Sequence, residues 1–270
     1  MSATGRAATD LIRARPRGFF GDVLTVAGRA VRSLPREPEA IIPALIVPVF
    51  FFFVNTGSLT NLAESAGGVS DFKAFQLPVA IIFAVTGISR ANALVTDIKD
   101  GYFDRLLITP IKRPALLLGL MVADFVLVLT LGAVVTIMGI LVGIRFATGP
   151  VGIIAFLIIG ALWGLAFTGF PYAIALKTGN PAAVQSSFLL FFPFAFLTSA
   201  FVPVEALSGW MQTAARFNPV TYLLEGLRAI ILEGWIWSSI GKALLAIGLL
   251  GIVSFGLAFI TLKGRVSQDA

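Results

Sequence analysis

The 270-residue chain has no cysteine and no histidine. The first absence excludes disulfides, thiol nucleophiles and thiolate metal sites; the second removes the commonest general base and the commonest zinc ligand. Charge is also scarce, at 13% of residues, where a soluble domain carries about 25%. No GxxxxGK[ST] phosphate loop occurs, so ATP is not expected on this chain through that loop. HExxH, GxSxG and metal-spaced carboxylate clusters are missing too, which argues against a membrane protease, lipase or metalloenzyme. No cleavable signal peptide is expected, because about forty residues separate the basic N-terminus from the first long apolar run.

What is abundant is apolar: 57% hydrophobic residues, with 24 Phe and 27 Gly. Mean hydropathy is +0.94. Phe-rich, Gly-rich apolar sequence suits helices that pack closely in lipid, so the chain reads as an all-α integral membrane protein. The net charge of +6 then concerns orientation, and no nucleic-acid partner is expected. Six apolar runs are visible: Ala40–Thr56, Phe75–Val95, Ala115–Ile144, Val151–Leu176, Ala183–Val204 and Ser238–Leu262. A span needs about 20 apolar residues to cross about 30 Å of hydrocarbon. The first run is short and holds Pro43 and Pro48, so it is expected to tilt or to begin earlier.

Lys and Arg concentrate before the first run, in the second loop and after the last run, and the fourth loop holds Lys177. The positive-inside rule therefore predicts a multi-pass protein of the inner (plasma) membrane with both termini cytoplasmic, as an even number of spans requires. Residues 1–18 read as a flexible cytoplasmic tail. Residues 19–36 read as an interfacial amphipathic helix, with Phe20, Val23, Leu24, Ala27, Val31 and Leu34 on one stripe. The segment from Glu205 to Trp237 is too apolar for a solvated loop and is broken at Asn218-Pro219. Two short helices re-entering against the bundle fit it best, placed externally before the last span.

The charged stretch Asp97–Arg113 stands apart from these runs. Read as a helix, Phe103, Leu106, Leu107 and Pro110 share one face, while Asp100, Asp104 and Arg105 lie off it. Gly101 allows a sharp exit from the second run, and Pro110 and Pro114 end the segment. Such a face suits docking to a soluble partner; a plain turn with its apolar face in lipid is the alternative.

Several stretches resemble the ABC-2 type permeases, the membrane subunits of certain ABC exporters, and most of all the daunorubicin-resistance type of drug permease. Gly101, Leu106, Leu107, Thr109-Pro110 and Arg113 are similar to the family's "G…RLL.TP..R" pattern, and Asn218-Pro219, Thr221-Tyr222, Glu225 and Arg228 to its "NP.TY..E..R" pattern. Arg32 and Arg36-Glu37-Pro38 resemble the family's entry to the first span. The resemblance implies that residues 37–270 form an ABC-2 type transmembrane domain, paired as a homodimer or with a similar permease. It implies two copies of a separate ATPase, which carry ATP and Mg, and no catalysis or cofactor on this chain. The loop after the second span would be the coupling helix, with Asp100, Gly101, Phe103, Asp104, Arg105, Leu106, Leu107 and Pro110 at the contact. The cavity would lie between the second and fifth spans, near Phe83, Thr86, Asn92, Phe188 and Phe192. Export of a hydrophobic compound (a drug, antibiotic or lipid-like molecule) is the expected activity, with a glycan or lipid as the alternative cargo. In the run from Phe188 to Phe201 a second reading stands, lipid-facing packing bulk.

Arg90 and Asp124 fall inside predicted spans at similar depth. A lone charge there costs about 2.5–3.5 kcal/mol on insertion scales, so a pair is expected between them. The alternatives are Arg90 snorkelling to the surface and Asp124 facing an aqueous cavity, or Asp124 carrying protons in a carrier that needs no ATPase. A single acid without His or a second intramembrane carboxylate makes a poor relay. A non-transporting scaffold also stands. In the external segment, Asn218, Pro219, Tyr222, Glu225 and Arg228 are expected to stabilise the re-entrant helices.

Overall fold

A computed structural model describes residues 18–36, 38–66, 69–101 and 113–268. The described elements are helices α1 (Gly18–Ser33), α2 (Pro38–Ala66), α3 (Phe72–Thr86), α4 (Ala91–Lys99), α5 (Arg113–Leu141), α6 (Gly149–Thr178), α7 (Pro181–Ser186), α8 (Phe191–Phe196), α9 (Gly209–Phe217), α10 (Pro219–Arg228) and α11 (Trp237–Gln268). Short 3-10 turns at Leu34–Arg36, Ser187–Leu190 and Val204–Ala206 and a π turn at Ala229–Glu233 join them. Among the described residues, five helical segments are long and apolar enough to cross a membrane: Ile41–Ser65, Phe72–Lys99, Pro114–Leu141, Gly149–Thr178 and Trp237–Gly264. The chain is thus an all-α, multi-span membrane protein.

Two of the six apolar runs fold differently from a straight helix. The second is α3 and α4, interrupted at residues 87–90. The fifth is α7, a 3-10 turn and α8, followed by irregular backbone over residues 197–203. Pro193 removes one backbone donor from the middle of α8, and the pair Asn180-Pro181 starts α7. There the Asn180 carboxamide oxygen accepts from the Ala182 N–H at 3.0 Å, and Pro181 needs no donor in the first turn. The first run extends further than its apolar stretch, because α2 carries Pro43 and Pro48 inside one continuous helix.

Glycines set the packing. On α3, Leu77, Ile81 and Val85 recur every four residues and are almost wholly buried. Each meets a glycine on a neighbouring helix. Leu77 fills the space a side chain would take at Gly139 of α5, Ile81 lies over both Gly132 of α5 and Gly160 of α6, and Val85 covers Gly164 of α6. In lipid no hydrophobic gain drives helices together, so close approach and dispersion contacts do the work instead. The broadest helix pairing is α6 with α11. Its tightest point is Gly169, where an added Cβ would fall 2.6 Å from the Ser254 carbonyl oxygen. Beside it the Ser254 hydroxyl donates to the Ala166 carbonyl.

Helix α1 lies across α5, where Val26 and the Val23 carbonyl approach Gly119. Val26, Ala27 and Ala30 are buried there, whereas Phe20 and Leu24 point outward at 79% and 69% exposure. Of the apolar stripe read from the sequence, Ala27 is buried while Phe20 and Leu24 turn away from the protein, and the buried Val26 and Ala30 lie off that stripe.

Gly169→Val should overpack the α6–α11 seam and cost about 1–3 kcal/mol, the usual range for a branched side chain forced into a full site. A fall in the thermal midpoint of the purified protein, with no comparable fall for Gly256→Val on the open face of α11, checks this.

Candidate functional site

The break in the second span is built from polar groups. After Gly87, Ser89 turns its hydroxyl oxygen to accept from the Ala91 N–H at 3.1 Å. The Arg90 N–H, left without a helical carbonyl, donates to Asp124 Oδ1 at 2.7 Å. The second oxygen of the same carboxylate accepts from the Tyr172 hydroxyl at 2.6 Å. Asp124 is fully buried, so one side chain on α5 caps α4 and fastens it to α6. A carboxylate at a helix N-terminus is favoured by the exposed amides and the helix dipole. One turn earlier, Trp163 Nε1 of α6 donates to Thr86 Oγ1 at 3.0 Å. Arg90 itself is buried at 6% exposure beside this cap.

In front of the break lies a cleft of about 320 Å³ between α2, α3, α6 and the α7–α8 segment. Phe83, Thr86, Asn92 and Phe188 line it together, along with Ser89, Gln185 and Pro171. A second space of about 140 Å³ continues it along α2, sharing Val47, Pro48, Phe83 and Phe188 and adding Phe192, Phe196 and Phe201. The rings form a chain. Phe188 meets Phe192 at 5.1 Å, Phe192 meets Phe196 at 5.7 Å, and Phe196 meets Phe201 at 6.5 Å between centroids. Phe83 closes the chain edge-on to Phe191 and Phe196. The five residues the resemblance placed near a cavity therefore stand along one continuous cleft, with uncharged polar groups at one end and aromatic rings at the other. No charged side chain is among those lining either part.

The irregular backbone over residues 197–203 is held by the segment that follows it. Asn218 Oδ1 caps α10 by accepting from the Val220 N–H at 2.9 Å. Its Nδ2 donates to the Phe194 carbonyl at 2.7 Å and the Leu197 carbonyl at 2.6 Å, groups freed where α8 ends. The Thr221 and Thr198 hydroxyls bond at 2.6 Å, and the Tyr222 hydroxyl donates to the last carbonyls of α9 at Arg216, 2.6 Å away. Arg228 reaches back to α3: Nε donates to the Phe75 carbonyl at 3.1 Å, and the guanidinium lies 3.3 Å from the centre of the Phe75 ring. Its other nitrogens meet Ser199 Oγ at 3.2 Å and the Ala200 carbonyl at 3.4 Å. Gln76 donates to that same carbonyl at 3.1 Å. Glu225 lies on the half-buried side of α10, and the Arg228 donors are directed to these acceptors rather than to it. At the far end, the π turn offers the Ile230 carbonyl to the Thr148 hydroxyl at 2.7 Å and the Ile231 carbonyl to the Ala147 N–H at 2.8 Å.

Of the loop residues singled out from the sequence, Asp100 and Gly101 end α4. Asp100 N–H donates to the Thr96 carbonyl at 2.9 Å, and Gly101 takes φ 68°, the left-handed turn that glycine adopts without strain. Phe103, Asp104, Arg105, Leu106, Leu107 and Pro110 lie outside the described residues. Just before the loop, Asp97 Oδ2 accepts from Arg29 Nη2 at 2.9 Å, an ion pair joining α1 to α4. Sequence reasoning did not reach Tyr172, Gln76, Thr198, Ser199 or the Arg29–Asp97 bridge. Among the described residues, no three acidic side chains gather where they could hold a metal ion.

Residues 22–232 match the ABC-2 type transporter family. The chain belongs to that family. Among its relatives, the daunorubicin resistance ABC transporter permease protein DrrB1 of Streptomyces coeruleorubidus is 25% identical over 211 residues, 77% of this chain and 74% of that protein. The probable doxorubicin resistance ABC transporter permease protein DrrC of Mycobacterium tuberculosis is 24% identical over 219 residues, 81% of this chain and 79% of that protein. Identity at this level sets the family and not the drug-resistance subtype. In this ABC-2 chain the "NP.TY..E..R" stretch holds neighbouring backbone and hydroxyl groups, since Asn218, Thr221, Tyr222 and Arg228 each bind main chain or a neighbouring hydroxyl.

Two substitutions separate these supports. Tyr172→Phe should destabilise by about 1.5–3 kcal/mol, the scale of a hydrogen bond to a charged group. Asn218→Ala should cost at least the about 1 kcal/mol of a lost helix cap and more for the two buried carbonyls it strands. Thermal unfolding of the purified variants checks both, with Asn218→Ala expected to melt lower than Asn180→Ala, whose cap faces outward.

Proposed function

We propose that this ABC-2 protein is the permease subunit of an ATP-driven exporter that moves a hydrophobic compound out of the cytoplasm. Membership of the ABC-2 family is the observation that carries the reading. The relatives' names, daunorubicin and doxorubicin resistance permeases, favour drug-like cargo over other classes. The uncharged, ring-lined cleft agrees with that choice, because apolar pockets with a few polar groups suit apolar ligands. Phe83, Thr86, Asn92, Phe188 and Phe192 are the cargo-facing residues in this reading.

The chain carries six spans, the α7–α8 segment serving as the fifth, and sits in the plasma membrane with both termini cytoplasmic. Residues 19–36 lie on the cytoplasmic surface, and α9 and α10 re-enter from the outside. Two copies pair through the faces that leave Phe50, Phe51 and Phe53 of α2 exposed. Residues 97–113 form the coupling segment on a separate ATPase, which holds ATP and Mg. Closure of two ATPase copies pushes that segment, and α4 is built to move with it. It is short, it follows the interruption at residues 87–90, and its N-terminus is capped by the Asp124 carboxylate and the Ser89 hydroxyl. Arg90 and Asp124 pair as opposite charges at this interruption. Asp124 engaged at both oxygens and closed off from water speaks for a brace and against a proton carrier.

Co-expression with a candidate ATPase tests the reading. The two chains should co-purify, and vesicles holding both should accumulate an apolar dye only with ATP. Leu107→Asp or Phe103→Asp should cut both co-purification and ATP-dependent uptake by at least tenfold, because hot-spot apolar anchors at an interface contribute about 2 kcal/mol or more each. Phe188→Ala should spare co-purification and change only which dyes are carried. Transport that proceeds with no ATPase present would overturn the proposal.

A further inference from the structure

A second cleft, apart from the ring-lined one, opens between α1, α4 and α5. Its volume is about 430 Å³, within the range of small-molecule sites. Its character is the reverse of the first. Arg29 and Ser33 of α1, Arg90 at the start of α4, and Asn92, Thr96 and Asp97 along α4 supply most of its wall. Arg32 stands in the adjoining groove on α1, which shares Arg29 and Ser33. Arg29 and Arg90 line the cleft with Asp97 as the acid among its described lining residues, Arg32 adds a third guanidinium group in the adjoining groove, and Asp124 lies behind the α4 N-terminus. The Arg29 side chain is 48% exposed while bonded to Asp97, so an anion arriving from outside can reach it.

We infer that this cleft is a binding site for a phosphate-bearing anion, seated between Arg29 and Arg90. The source favoured by position is the headgroup of an anionic lipid. The inference rests on the proposed placement of α1 at the cytoplasmic membrane surface, where basic pockets between helices meet acidic headgroups. Bound phosphate competes with Asp97 for Arg29. Occupancy therefore trades the α1–α4 ion pair for a lipid-bridged one, and it sets how firmly α4 is tied to the surface helix just before the coupling segment.

The test uses the full-length chain in neutral detergent, offered an equimolar mixture of phosphatidylglycerol and phosphatidylcholine. Retained lipid is weighed by native mass spectrometry, and thermal stability is read in parallel. Phosphatidylglycerol should be retained in preference. Arg29→Gln should reduce that preference about fivefold, the effect expected for one basic side chain near an acidic surface. Asp97→Asn should raise it, because Arg29 is released to the ligand. A purely structural Arg29–Asp97 bridge makes the opposite forecast: both variants melt lower and lipid preference stays put, which overturns the inference. If Arg29→Gln does not accumulate folded, Asp97→Asn carries the comparison alone. Stabilisation by millimolar inorganic phosphate in the absence of lipid, lost in Arg29→Gln, assigns the site to a free anion. Equal retention of the two lipids with no effect of phosphate removes the site altogether. None of these readouts involves transport or an ATPase, so failure of the exporter reading leaves them interpretable.

Discussion

Backbone that leaves a helix at membrane depth must find its hydrogen bonds inside the protein, because hydrocarbon offers none. Among the described residues, the apolar helical stretches are interrupted at residues 87–90 and give way to irregular backbone at residues 197–203. Both breaks are repaired by side chains from elsewhere in the sequence. At the first, Asp124 accepts the orphan N–H of Arg90 and is held in turn by Tyr172. At the second, Asn218 and Arg228 supply donors to the carbonyls of Phe194, Leu197 and Ala200. Remove these few polar contacts and the irregular segments lose the reason to be irregular. The ring-lined cleft goes with them, since both breaks border it.

This constraint explains why polar residues that look costly in an apolar chain sit where they do. Asp124 and Arg228 are enclosed, yet each is engaged by several partners, and a buried charge is tolerable only on that condition. It also separates two kinds of support. The glycine contacts that seat α3 against α5 and α6 are apolar and continuous, which favours a rigid unit. Helix α4 combines both: Ala91, Leu94, Val95 and Ile98 are buried in an apolar cluster with residues of α1, α5 and α6, while Asp124 and Ser89 satisfy its N-terminus and Asp97 pairs with Arg29.

Much of the architecture was legible in the order of residues. Long apolar runs marked α2, α5, α6 and α11 because nothing competes with a helix over twenty apolar residues. Asn218-Pro219 marked the α9–α10 boundary, since Asn caps and Pro starts a helix without a lost donor. The equivalent Asn180-Pro181 lies between the fourth and fifth apolar runs and starts α7 in the same way. The interruption at residues 87–90 was not legible. Gly87-Ile88-Ser89-Arg90 carries no proline, and the partner that pays for the break, Asp124, lies 34 residues away. The outward turn of Phe20 and Leu24 was hidden for a related reason. An amphipathic pattern tells which residues are apolar and not which neighbour covers them, and Gly119 of α5 receives Val26 instead. Of the candidate cleft, the residue types were readable and their convergence was not, because it depends on where the fifth run bends.

The absence of cysteine from the chain makes its central claim directly measurable. A single cysteine at position 103, introduced as Phe103→Cys, reports by itself what covers the segment after the second span. With the ATPase present in native membranes, a short thiol cross-linker should join the two chains, and the yield should change when ATP is added. A cysteine at that position that resists cross-linking to the ATPase and is labelled only by lipid-soluble thiol reagents would contradict the account.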